Sequence, residues 1–179
     1  MDKKVEEVAK YLPSILMLKD KRIATAIANV WLKMLEISCW KNLGEARFKD
    51  TLKNVSLVSH VNSTIECALK VSEIIHKYHN ITFDEQKIIE FGLLHDVDKM
   101  LEYVYDDNGN LVVSAEGKKI QHGVMSAIFA YNEGFDINMI HLILTHTTDS
   151  IMRTQDKEGI LFGHMDMCDW EITCKFFKD

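Results

Sequence analysis

Pro13 is the sole proline of this 179-residue chain, and eight glycines accompany it. A proline costs a helix interior ~3 kcal/mol and a glycine ~1 kcal/mol, so a chain this poor in both has little to stop it running helical. The spacing of apolar residues agrees. Ile23, Ile27, Val30, Trp31, Met34, Leu35 and Ile37 recur at helical intervals within 23–40, which predicts a helix that is apolar around much of its circumference. Such a stripe suits a central core helix, with a homodimer interface through the N-terminal helices as its second use. A first helix is expected over about 3–19 with a break at Pro13, and a short charged one over 44–54. Ser59 suits the N-cap of a helix over 60–79, with Asn80 as its stop. Thr82-Phe83-Asp84-Glu85 matches a capping box opening the helix that carries Ile88, Ile89, Phe91, Leu93 and Leu94 into His95-Asp96. Further helices are expected over 120–133, ended by Gly134, over 137–147 behind Asp136, and from about 156 to the C-terminus with an interruption near Gly163. Gly92 lies one turn before His95-Asp96, where a missing side chain lets another helix approach closely. The exception to helix is 103–114. There Tyr103-Val104-Tyr105 and Leu111-Val112-Val113 flank Asp106-Asp107-Asn108-Gly109-Asn110, a hairpin signal at the end of the His-Asp helix. The fold class is therefore all-α, a helical bundle with a small β-hairpin insertion.

Length and charge narrow the function. The chain fits one domain. Its formal charge of −6 carries no basic stripe, which argues against nucleic acid as a partner. No apolar run approaches the ~20 residues needed to span a bilayer. Met1-Asp2-Lys3-Lys4 is too charged to lead a signal-peptide core. Cys39, Cys67, Cys168 and Cys174 show no Cys-x-x-Cys spacing, so reduced thiols and a cytoplasmic location are expected.

Chemistry enters with Gly92-Leu93-Leu94-His95-Asp96-Val97-Asp98-Lys99, which sets an imidazole, a carboxylate and a lysine within one turn. Buried neighbours of this kind need a partner or a metal. Partners are available: His60, His122, His146 and Asp166 each fall near the inward face of a separate predicted helix. The steps from His60 to His95, Asp96 to His122, His122 to His146 and His146 to Asp166 are 35, 26, 24 and 20 residues. One helical hairpin per step is the arithmetic of an antiparallel bundle in which each helix offers a ligand to a common centre. Imidazole with carboxylate and no thiolate suits Fe, Mn, Zn or Ni. Six ligands exceed what one ion needs, so one or two divalent ions are expected, two being favoured, with one carboxylate bridging.

His60, His95-Asp96 and Asp166 together resemble the signature of the HD-domain metal-dependent phosphohydrolase superfamily. His122 in Gln121-His122-Gly123 and His146 in Leu144-Thr145-His146-Thr147 resemble its binuclear branch. Within that branch the chain is most similar to the YqeK-like group, small proteins that hydrolyse symmetrical dinucleoside tetraphosphates. Asp149-Ser150 departs from that group, which has a glycine at this point. The likeness covers about 56–175, the HD-type helical core, and leaves 1–55 as a helical extension packed on it and 103–114 unexplained. It implies one metal on His60, His95, Asp96 and Asp166, with Asp96 bridging to a second on His122 and His146. It further implies hydrolysis by metal-activated water of a phosphate ester or anhydride of a nucleotide or related small molecule. Asp96 and Lys99 are the catalytic candidates, Lys99 as a point charge on the phosphate. Asp98 is a candidate for orienting a ligand imidazole, and Asp169 is the rival of Asp166 as ligand. His76, His79 and His141 are read as surface or packing residues, and Arg153 as an exposed loop residue. Two other functions use nearly the same residues: a diiron oxygenase of the HD type, and a metal-binding regulatory module without turnover.

Overall fold

The computed structural model describes residues 2–147 and 152–177. Helix α1 (Lys3–Ala9) stops before Pro13, and Pro13–Met17 forms a separate 3₁₀ turn, with proline in the first turn where its missing N–H costs nothing. Helix α2 (Lys21–Ile37) starts at Asp20, whose carboxylate accepts from the Arg22 amide. Its apolar stripe is consumed in the chain's own core: Ile27, Ala28, Val30, Trp31 and Met34 are buried. The Trp31 indole N–H donates to the Leu93 carbonyl at 2.7 Å.

Residues 40–56 form turns in place of the expected charged helix. Phe48, Leu52 and Val55 bury together as a satellite cluster. The loop closes when the Phe48 amide donates to the Val55 carbonyl and the Leu57 amide to the Ala46 carbonyl. Burying three apolar residues of a short segment on one side favours a folded-over loop over a helix with a single apolar stripe.

Helix α3 (Leu57–His79) begins three residues earlier than expected, because Ser56 is the cap and accepts from the Ser59 amide. It ends at Asn80, which takes the left-handed conformation at φ 55°, a role asparagine fills with little strain. Helix α4 (Glu85–Leu94) is capped by Asp84, not Thr82. The Asp84 carboxylate accepts from the Gln86 and Lys87 amides. The chain then turns through His95–Asp98 into the short helix α5 (Lys99–Glu102). Strands β1 (Tyr103–Tyr105) and β2 (Leu111–Val113) pair antiparallel, Tyr103 opposite Val113, around a turn with Gly109 at φ 77°.

Helix α6 (Val124–Asn132) starts later than expected, since Gly123 at φ 88° breaks the backbone just after His122. Helix α7 (Ile137–Thr145) is capped by Asp136. Helix α8 (Lys157–Phe176) is capped by Asp156 and passes Gly163 without interruption. Thr148, Asp149 and Ser150 lie outside the described residues. One continuous core runs from Val5 through Trp31, Ile65 and Phe91 to Phe162. Among the described residues no helix is long and apolar enough to cross a membrane.

Candidate metal centre

Glycine at position 92 brings the site together. A Cβ there would lie 2.4 Å from Ile65 Cγ1 on α3 and 2.7 Å from Phe162 Cε2 on α8. The absent side chain therefore sets how closely α3, α4 and α8 approach. Close approach puts His60 (α3), His95-Asp96 (end of α4) and Asp166 (α8) against one another. His146 arrives as the residue capping α7. His122 arrives from the loop before α6, not from the helix face expected for it. The left-handed turn at Gly123 aims it, and the Gly123 amide donates to Asp98 Oδ2 at 2.7 Å.

The six ligand candidates converge as two groups. His60, His95 and Asp166 have ligand atoms all within 4.8 Å of one another, and so do Asp96, His122 and His146. Asp96 stands between them with one oxygen toward each. Its Oδ2 is 3.4 Å from His60 Nε2 and 3.6 Å from His95 Nε2. Its Oδ1 is 2.6 Å from His122 Nε2 and 3.3 Å from His146 Nε2. Asp166 Oδ1 completes the first group at 3.1 Å from His60 Nε2 and 3.8 Å from His95 Nε2.

The far nitrogens of His60, His95 and His146 are hydrogen-bonded, and that of His122 faces a carboxylate. His95 Nδ1–H donates to the Gly92 carbonyl at 2.8 Å and His146 Nδ1–H to the Ile143 carbonyl at 2.6 Å. Since a carbonyl only accepts, both neutral rings must carry the proton on Nδ1 and present a lone pair on Nε2. His60 Nδ1 lies 2.6 Å from Asp169 Oδ2, and Ser63 Oγ–H donates to the other Asp169 oxygen at 2.6 Å. His122 Nδ1 is 3.2 Å from Asp98 Oδ1. This is the carboxylate–histidine or carbonyl–histidine support that metal-ligating imidazoles require. Asp169 therefore stands behind His60, while Asp166 stands in front of it. The donor set fits a divalent cation on a second count. His60 Nε2 and His95 Nε2 are buried and, among the described residues, have no hydrogen-bond partner. A buried orphan pair costs stability unless something binds it.

Electrostatics point the same way. Burial pulls the His60 imidazole down, but Asp166, Asp169 and Asp96 outweigh it and hold its pKa well above the usual value. Burial, helped by the neighbouring His146 and His60, drives His95 to about 4 against the pull of Asp96 and Asp166, leaving it neutral. Burial and Lys99 press His122 down, yet Asp98 and Asp96 carry it to about 10. Burial opposes ionisation of Asp96, and Lys99, His95 and His122 overcome it, holding its carboxyl well below the usual range. The protons on His60 and His122 must leave before those nitrogens can take a metal.

Lys99 Nζ lies 3.9 Å from Asp96 Oδ2 and 3.7 Å from Glu102 Oε2. Three neighbours carried no sequence signal. Phe48 stacks on His60 with centroids 3.9 Å apart and planes at 21°. Glu102 Oε2 lies 3.6 Å from His122 Nδ1. Ser126 Oγ accepts from the Asp98 amide at 2.9 Å. Phe48 precedes the HD-like stretch, and glutamates and serines on helices are too common to single out. His76, His79 and His164 are exposed and outside both groups. Arg153 is exposed and donates to the Thr147 carbonyl at 2.6 Å.

The fold and the site thus define a helical bundle with a histidine–aspartate centre able to hold divalent metal. The HD domain family matches residues 57–171, and the chain belongs to that family. A curated relative is the dihydroneopterin 2′,3′-cyclic phosphate phosphodiesterase of Methanocaldococcus jannaschii, 24% identical over 117 residues, covering 65% of this chain and 47% of that protein. The chain thus spans about half the length of that relative. Among solved structures none matches the chain significantly.

Proposed function

We propose that the protein is a metal-dependent phosphohydrolase that cleaves a phosphate ester or anhydride of a nucleotide or related small molecule. The observation that carries this is Asp96, whose two oxygens face two separate imidazole groups. In this reading His60, His95 and Asp166 would hold one divalent ion and His122 and His146 a second, with Asp96 offering an oxygen to each group. Metal bound there would supply an activated water and a Lewis acid for displacement at phosphorus. The chain's own residues do the rest. Asp169, Asp98 and the carbonyls of Gly92 and Ile143 keep four imidazoles aimed. Lys99 is the cation beside the pair. Its ion pairs with Asp96 and Glu102 are longer than hydrogen bonds, so its N–H groups can meet a phosphate oxygen and the charge that develops on it. Burial lowers the Lys99 pKa, but Asp96, Glu102, Asp98 and Asp166 raise it above the usual value, which keeps that charge in place.

The relative's name, a cyclic phosphate phosphodiesterase, supports a phosphoester as the substrate. Likeness to the YqeK-like group adds dinucleoside polyphosphates to the candidates. The test is metal analysis of aerobically and anaerobically purified protein, followed by a phosphate-release screen over nucleotides, cyclic phosphates and dinucleoside polyphosphates. The proposal expects bound Fe, Mn, Zn or Ni at one to two equivalents, and turnover that a chelator abolishes. Stoichiometric metal with no phosphate released from any of these classes would overturn it.

A further inference from the structure

The cleft of about 380 Å³ over the centre has two unlike sides. Its floor is polar, formed by Asp96, His122, His146, Asp166 and Lys99. Its wall is Phe48, Tyr103, Val113, Met167 and Trp170. Part of the wall comes from segments the HD likeness leaves unexplained, and part from α8. Phe48 comes from the loop before the matched residues, and Tyr103 and Val113 are a cross-strand pair of the hairpin. Met167 and Trp170 follow Asp166 on α8, with Trp170 at i+4. Phe48 and Tyr103 are almost wholly buried and back the wall, whereas Trp170 is 36% exposed and presents ring surface to the cleft. Lys49 places its ammonium 4.9 Å from the centre of the Trp170 ring at the rim.

We infer that this wall selects the leaving group, favouring phosphate esters whose leaving group carries a flat aromatic ring that packs on Trp170. The inference rests on the phosphohydrolase reading of the floor. Floor and wall line one cleft, so a phosphate on the floor has the wall residues within reach of its ester group. A small polar alcohol would leave the wall's apolar surface wet or unpartnered. A flat ring covers it, and a base stacked on an aromatic side chain is worth roughly tenfold or more in binding. A cleft of this volume is within the range that holds such a group.

Adenosine 5′-monophosphate and ribose 5-phosphate test this, since they share a phosphate and a sugar and differ by the base. With metal-loaded full-length protein, the nucleotide is expected to show a KM about tenfold below that of the sugar phosphate and to quench tryptophan fluorescence. Trp170→Ala should raise the nucleotide's KM about tenfold, toward the sugar phosphate's, and abolish the quench, while Trp170→Phe restores most of the preference. Equal KM values in the wild type, or a preference that survives Trp170→Ala, would overturn the inference while leaving the phosphohydrolase reading intact. If neither ester releases phosphate, the wider phosphate-release screen decides the phosphohydrolase reading, and quenching decides the wall. Quenching by the nucleotide, and not by the sugar phosphate, supports it as a binding surface, and no quenching overturns it.

Discussion

Single residues at two places in this molecule make testable contributions, one to the centre and one to stability. At the centre, among the described residues, Asp169 bonds the far nitrogen of His60 and the Ser63 hydroxyl, so in the proposed site it would position His60 without itself holding metal. Asp169→Asn keeps the shape and weakens the acceptor. The expected result is a metal affinity lower by about 10–100-fold, measured by competition with a chelator, with little change in thermal stability. Away from the centre, Glu90 is half-buried on α4, and burial first, then Asp84, Asp136 and Asp20, raise its pKa to about 7. The ordinary value is 4.5, so the folded state holds a proton that the unfolded state gives up. Stability therefore falls as pH rises between those two values and stays lower above them. Glu90→Gln should melt higher than the wild type at pH 8 by roughly 1 kcal/mol, after discounting for the solvent that screens a half-exposed group. At pH 4 the two should melt alike. Thermal melts at the two pH values check both the sign and the window.

Among the elements, α4 is the one on which the others close. Gly92→Ala would gain ~1 kcal/mol of helix propensity but drive a methyl into Ile65 and Phe162, two buried side chains on different helices. Overpacking costs ~1–3 kcal/mol, so the net expectation is destabilisation. Because the Gly92 carbonyl holds His95, loss of metal affinity should accompany it, measured by denaturant titration with metal analysis. Helix starts and stops were legible where a side chain satisfies the backbone locally: Asp136 caps α7 and Asn80 ends α3 as the residues predict. They were misplaced where two candidates compete within three residues. Ser56 caps in place of Ser59 because the loop before it is pinned by the Leu57 amide on Ala46, and Asp84 outcompetes Thr82 by accepting from two amides. His122 was placed on a helix because it shares a helical face with Ser126 and Phe129 or Ala130, and spacing does not reveal that Gly123 takes a positive φ.

For the whole molecule, spacing singled out the ligand candidates because His60 and Asp166 lie within helices and His95 and His146 at helix ends, whereas His122 comes from a loop. What covers them was not legible, because Phe48 and Tyr103 reach the cleft through tertiary contacts that leave no period in the chain. The N-terminal helices, expected as an extension packed on the HD-type core within a single domain, place Val8, Leu12, Ile27, Trp31 and Met34 in one core with Ile65, Phe91 and Phe162. We propose that they are integral to folding. Removing 1–55 should leave a chain without a cooperative melt, whereas an independently folding core would melt cooperatively and keep its metal. The central claim is narrower and rests on Asp96, the carboxylate shared by both imidazole groups. Metal content and phosphate release should be measured side by side for the wild type and Asp96→Ala, with circular dichroism to verify the fold. The account predicts a folded variant that has lost metal from both groups and all turnover. A folded Asp96→Ala protein that keeps its metal and its activity would contradict it.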